Sequence, residues 1–181
     1  MLHLKNITAG NPKTAEQYQM TKRHSIVWLF SEDGKNWYEE QKNFASDTIK
    51  VAYNERGRVV WVGKDVTGIE PTNVSIIELP DITTNRRITA PGYWFYRNDE
   101  FVFDYKLKAE DERDALLKQI SIMTSDWEKD LLLGLISDED REKLKAYRIY
   151  AKSLQAMDFN IITDKTSYNA IEWPVSPEAS S

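Results

Sequence analysis

The sequence predicts an α+β protein. A β-rich N-terminal domain is expected over residues 1–105, followed over 106–181 by an antiparallel helical pair and an extended C-terminal tail. Three observations predict this. Up to about residue 105, short β-branched and aromatic runs are separated by Asp-Gly, Gly-containing and Pro signals. From about Lys108 to Asp130 there is neither Pro nor Gly, and good helix formers dominate. Near its end the chain carries Glu172-Trp173-Pro174-Val175-Ser176-Pro177-Glu178, an extended, proline-bearing stretch.

The elements follow in order. Gly10-Asn11-Pro12-Lys13-Thr14 is a turn that starts a local helix. Ile26-Val27-Trp28-Leu29-Phe30 is a strand, ended by the turn Ser31-Glu32-Asp33-Gly34. Thr48 to Tyr53 alternates, with Ile49, Val51 and Tyr53 on one face; Asn54 to Gly57 turns, and Val59 to Val62 returns, which makes a hairpin. Val74 to Leu79 is a strand closed by Pro80, and Tyr93–Tyr96 with Phe101–Phe103 forms a second hairpin. In the helical part, Glu110, Asp111 and Glu112 suit a first turn, where the helix dipole favours anions. Leu116, Ile120, Met123, Trp127 and Leu131 fall on one helical face. Gly134 marks a break, and Ser137 before Asp138-Glu139-Asp140 reads as an N-cap. The second helix, from about Asp138 to Ala156, carries Leu144, Tyr147, Ala151 and Leu154 at helical spacing. Asn160 to Ala170 is polar apart from Ile161 and Ile162.

Composition removes several functions. With no Cys, disulfides, thiolate metal sites and Cys nucleophiles are impossible, and the chain suits a reducing cytoplasm. His3 and His24, the only two His, have no zinc-ligand spacing, and no EF-hand loop is present. A net charge of −5 gives no basic footprint for nucleic acid. The acidity lies mainly in residues 106–181, which hold 11 Lys/Arg against 15 Asp/Glu, while residues 1–105 hold 13 against 14. The longest apolar run, Leu131-Leu132-Leu133-Gly134-Leu135-Ile136, is far short of the roughly 20 residues that cross a bilayer. The N-terminus has no signal-peptide stretch, so a soluble chain, intracellular at synthesis, is expected.

Catalytic motifs fail one by one. Lys13-Thr14 lacks the glycines of a phosphate loop. Glu39 and Glu40 are adjacent and cannot converge on one face. His24 beside Arg23 reads as a surface residue, and no nucleophile elbow occurs. No catalytic, cofactor-binding or metal residue is assigned, and no enzyme activity is expected. What remains is an aromatic excess of six Trp, nine Tyr and six Phe. Trp28, Trp37, Trp61 and Trp94 fit either a β core or an exposed sheet face for sugar or protein, whereas Trp173 in the tail suits an anchor or a docked tail.

Specific residues then carry a resemblance. His3-Leu4-Lys5-Asn6, Ala9 to Thr14, Glu16 to Gln19 and Thr21-Lys22 resemble the opening of the tail fibre assembly proteins of tailed bacteriophages and prophages, the lambda type. The likeness runs on through Trp28-Leu29, Ser31 to Phe44, Asp47-Thr48, Lys50 to Val66, Pro80 to Thr83 and Asn85-Arg86-Arg87. Glu142-Lys143-Leu144, Tyr147, Tyr150, Leu154, Asp158 and Glu172-Trp173-Pro174 resemble the family's C-terminal signature. Tyr147 stands where the family more often has Trp, and residues 159–171 form a longer link than usual.

The resemblance implies a chaperone, working in the bacterial cytoplasm, that binds the C-terminal, receptor-binding end of a tail fibre and helps it fold and trimerise. Some members stay on the fibre and influence host range. No cofactor, nucleic acid or membrane insertion is implied, and a homodimer stays open. The expected fibre contacts are Tyr147, Tyr150 and Leu154 on the second helix with Trp173 and Pro174 on the tail. Tyr147 lies on the Leu144 stripe, where helix packing competes with partner contact; Tyr150 lies off it and is the stronger contact candidate. The alternatives are a virion-associated carbohydrate-binding accessory, using the N-terminal aromatics on host glycans, and a plain structural subunit.

Overall fold

A computed structural model describes residues 1–180, which form two compact units divided between Phe103 and Asp104. The protein is α+β, as the alternation and helix periodicity predict. In the N-terminal unit, β1 (His3–Gly10) is followed by α1 (Ala15–His24), β2 (Trp28–Phe30) and the single-turn α2 (Trp37–Glu40). Then come β3 (Thr48–Asn54), β4 (Val59–Gly63), β5 (Val74–Pro80) and the hairpin of β6 (Trp94–Arg97) and β7 (Glu100–Phe103). Five strands make an antiparallel sheet in the order β2-β1-β5-β3-β4. Thr14 starts α1, its side chain accepting from the Gln17 amide at 3.1 Å.

The sheet is covered on both faces, which departs from the single apolar face read from Ile49, Val51 and Tyr53. Ile49 and Val51 look toward a core of Val59, Ile88 and the hairpin residues Trp94 and Phe101, and the Tyr53 ring meets Phe101 and Tyr96 of the same hairpin. The alternate position Ala52 looks into a second core of Leu4, Ile7, Leu29, Trp37, Val66 and Ile76. Lys50 shares that second face and is only 1% exposed. Its ammonium donates to the carbonyls of Ala45 and of Lys64, the latter at 2.8 Å. In register opposite Lys50, Glu78 accepts from the Ala45 amide at 2.7 Å, Thr48 Oγ1 at 2.8 Å and the Leu2 amide at 3.1 Å. The charged pair therefore ties four chain segments around one buried point.

The sequence pattern does not reveal β1, although that strand sits inside the sheet. Its register slips between Leu4 and Ile7, with Asn6 at φ 47°. The slip turns an even and an odd position, Leu4 and Ile7, to the same core, and both are fully buried. A bulge of this kind erases the period-two signal.

In the C-terminal unit, α3 (Tyr105–Leu133) and α4 (Asp138–Gln155) pack antiparallel, while α5 (Lys165–Asn169) lies in the segment before the tail. Asp104 caps α3, accepting from the Leu107 amide at 2.9 Å, so the helix begins about a turn before the predicted start at Lys108. Glu110, Asp111 and Glu112 consequently lie beyond the first turn, correcting the dipole argument made for them. The α4 prediction fits better: Ser137 accepts from the Asp140 amide at 3.1 Å, and Leu144, Tyr147, Ala151 and Leu154 are all buried. On α3 the expected stripe is only partly covered. Ile120 is buried and Leu116 and Trp127 pack beside it, but Met123 and Leu131 are exposed. With 29 residues against 18, α3 outruns its partner. Its N-terminal half is covered instead by Phe159 and Ile162, which pack on Ala109 with Tyr105, Tyr168 and Trp173 around them.

Candidate partner-binding surface

Helix α4 owes its apolar face to the 3.6-residue repeat. Tyr147, Tyr150, Ala151 and Leu154 meet Ile120 of α3 in one cluster, with Leu116, Leu117, Trp127, Met157 and Trp173 around it. Tyr147 stacks obliquely on Trp127, centroids 6.1 Å apart. Its hydroxyl donates to Glu178 Oε1 at 2.8 Å. Burial, and then that bond to a carboxylate, hold the Tyr147 phenol above its ordinary pKa.

The tail returns across this helix. Trp173 sits beside Phe159, centroids 5.8 Å apart, and packs into both clusters of the unit. Ile171 to Ser176 has no regular structure, and Pro177–Ser180 makes a short 3₁₀ turn. The segment before it is tied down as well. Asp164 and Ser167 form a capping box at α5, and the Tyr168 hydroxyl donates to the Glu112 carboxylate at 2.7 Å. The long link over 159–171, read from sequence as polar, is thus an ordered cap.

This geometry sorts the five expected contact residues. Leu154 is fully buried, Tyr147 is 6% exposed, and Trp173 serves as the tail's anchor onto α4. Tyr150 corrects the sequence reading: it does not stand clear of the apolar stripe, and only 9% of it is exposed. The docked tail widens the buried arc of α4 to include it, because Trp173 belongs to the same cluster. Pro174 is half-buried at the edge of the tail.

Tyr150 and Pro174 nevertheless border an open groove of about 410 Å³ between α4 and the tail. Ala146, Ile149, Ser153, Val175 and Pro177 complete it. Ile149 is 59% exposed and Val175 is 71% exposed, so this groove offers free apolar surface. Neither residue was singled out from sequence. The available signal was an Ile on the otherwise charged side of α4. A second groove, of about 590 Å³, follows the same side of α4 past Met123, Trp127, Tyr147 and Glu178. What these walls can do is accept apolar side chains beside a few carboxylates and one lysine; among the described residues no group of three or more His, Asp or Glu gathers to hold a metal.

The strand tryptophans lie elsewhere and are used differently. Trp28 and Trp37 are buried, while Trp61 and Trp94 pack against the two cores of the sheet. Trp28 Nε1 donates to Thr21 Oγ1 at 2.8 Å, which fastens α1 to β2. Among the described residues no helix is long and apolar enough to cross a membrane.

Comparison with known proteins agrees with the sequence reading. The chain is 44% identical to tail fiber assembly protein U' of Escherichia phage P1 and 43% identical to tail fiber assembly protein U' of Escherichia phage Mu, in each case over 98% of this chain and all of the relative. It is 38% identical, over the same share of both chains, to a probable tail fiber assembly protein of Escherichia phage P2. Residues 39–178, which run from the end of α2 through β3–β7 and the helical hairpin to the α4–tail surface, match the family described as Caudovirales tail fibre assembly protein, lambda gpK, and the chain belongs to that family.

Proposed function

We propose that this protein is a tail fibre assembly chaperone that works in the host cytoplasm, binds the C-terminal end of a phage tail fibre and promotes its folding and trimerisation. Full-length likeness to proteins named for tail fibre assembly supports the role. The observation that carries the mechanism is the groove between α4 and the tail, which presents Ile149, Pro174 and Val175 on a frame held by buried aromatics.

The physics suits such a frame. Long-range strand pairing in a fibre forms slowly and leaves apolar edges open on the way. A protein that binds the ordered fibre end better than competing states shifts that balance by mass action, with no nucleotide. It needs a rigid scaffold with a few apolar anchors at its centre. Tyr147, Leu154 and Trp173 supply the scaffold; Tyr150 and Pro174, with Ile149 and Val175, supply the contact surface.

The test is co-expression with the cognate fibre, reading the yield of trimer on a gel without heating. The expected result is a loss of trimer when the protein is omitted, and at least about a tenfold loss of fibre affinity for the Ile149→Asp, Val175→Asp double variant. Equal trimer yield with and without the protein overturns the chaperone reading; wild-type affinity in the double variant removes this groove from it.

A further inference from the structure

The apolar run Leu131–Ile136 has a place in the structure that the groove beside the tail does not use. It forms the tip of the α3–α4 hairpin. Gly134, at φ 70°, ends α3 in a Schellman motif: its amide donates to the Leu131 carbonyl at 3.2 Å and the Leu135 amide to the Asp130 carbonyl at 2.8 Å. That motif explains Gly134 but none of the leucines. The apolar contact that commonly accompanies it is missing, since Leu135 is 72% exposed and its counterpart is Asp130. Leu132 is 87% exposed and Leu133 70%. Ile136 alone of the run is buried.

Beside this tip lies a groove of about 590 Å³, with Leu131, Leu132 and Leu144 as its apolar wall. Its other lining residues are Arg141, Lys145, Arg148 and a single anion, Glu128. The rim is cationic although the region around it is acidic. Arg141 and Lys145 reach Asp138 and Glu142 at 3.5 and 3.6 Å, but these are exposed pairs one turn apart that exchange for a partner's carboxylates at little cost. On the helical wheel of α4, residues 141, 145 and 148 centre about 100° away from 146, 149 and 153, and the two grooves share no lining residue, so this groove is separate from the one beside the tail.

We propose that the leucine tip and its cationic groove form a second docking site, for an apolar segment of the tail fibre that carries Asp or Glu side chains. The assignment of the fibre as the source rests on the function proposed above. A contiguous exposed apolar patch beside one sign of charge marks an interaction surface, and the charge names the partner's sign. A second copy of this chain fits worse. A two-fold contact through the tip would set Arg141, Lys145 and Arg148 against the same three cations.

The experiment titrates a C-terminal fragment of the cognate fibre into the full chain at low and high salt. Two double variants are compared with wild type: Leu132→Asp with Leu135→Asp, and Arg141→Glu with Arg148→Glu. Thermal midpoint and sedimentation are measured on each. The leucine pair is expected to weaken binding by about tenfold or more at both salts. The charge reversal is expected to weaken it mainly at low salt and to flatten the salt dependence. Midpoints should hardly move, because the altered side chains are exposed; if the leucine pair nevertheless fails to fold, the charge reversal decides. Wild-type affinity in both variants overturns the second site while leaving the chaperone reading intact. Loss of self-association with unchanged fibre affinity overturns it in favour of a second copy. Absence of binding by the wild-type protein overturns both readings together.

Discussion

Glu78 shows how much a single buried carboxylate can hold. Burial alone would raise its pKa, but hydrogen bonds from Thr48 Oγ1 and from the Leu2 and Ala45 amides, with Lys50 nearby, outweigh that and keep it below its ordinary value of 4.5. A carboxylate with a depressed folded pKa contributes stability that is fully present above its unfolded value. That stability is lost as pH falls through 4.5 toward the lower folded value. Glu78→Gln leaves donors facing an amide group and Lys50 without its opposing charge. The expected cost at neutral pH is about 1–3 kcal/mol. Denaturant titrations across pH 3 to 7 should show the variant losing less stability than wild type over roughly the window below pH 4.5, as the linkage requires. Neither residue could be singled out from sequence, because an alternating strand places Lys50 on a face that reads as solvated. Only the second core above that face makes it a buried group. Tyr150 was misread for a similar reason. Its place on the helical wheel of α4 is legible, but the tail that covers it comes from residues more than twenty positions away.

Elements were legible where local chemistry alone fixes them. The hairpins, the Ser137 cap, the α4 stripe and the break at Gly134 all follow from spacing and turn residues. The strand β1 did not, because its bulge destroys the alternation, and α5 did not, because a five-residue helix with one aromatic, Tyr168, is too short to carry a periodic signal. Two glycines separate the kinds of information a sequence holds. Gly134 and Gly57 both adopt positive φ, at 70° and 79°. A Cβ at Gly134 would meet nothing within 4 Å, whereas at Gly57 it would run into the carbonyl oxygen of Tyr96. The Tyr96 amide donates to the Gly57 carbonyl at 2.7 Å, so the β3–β4 turn is fastened to β6 at that point. Gly134→Ala should therefore cost only the backbone strain, about 1–2 kcal/mol. Gly57→Ala should cost more, since the strand β6 must also shift. Equal midpoints for the two variants in a thermal melt would refute this account of the Gly57 turn.

At the scale of the whole molecule, the aromatic excess is mostly structural, and what it builds in the C-terminal unit is a platform. Trp173, together with Met157, joins two clusters, the α3–α4 core and the cap over Ala109. The Tyr147–Glu178 bond then closes the tail over α4. The two roles proposed for the tail, holding the unit together and offering Pro174 and Val175 to the fibre, can be separated by experiment. Ending the chain at Glu172 removes both the anchor and the contact surface. Trp173→Ala removes the anchor and leaves the contact residues in place, at a cost of about 2–3 kcal/mol for a ring that is only partly buried. Tyr147→Phe keeps the ring packing and removes a single hydrogen bond, at about 1 kcal/mol. If the groove beside the tail binds the fibre, affinity should fall most for the shortened chain. It should fall less for Trp173→Ala, in proportion to the loosening of the tail, and least for Tyr147→Phe. Pull-down with the fibre tip, set beside urea melts of the same three proteins, reads the two duties independently. Full-strength binding by both the shortened chain and Trp173→Ala would mean that the tail stabilises its own unit and touches no fibre, and the weight of partner recognition would then rest on the leucine tip at the far end of the helical hairpin.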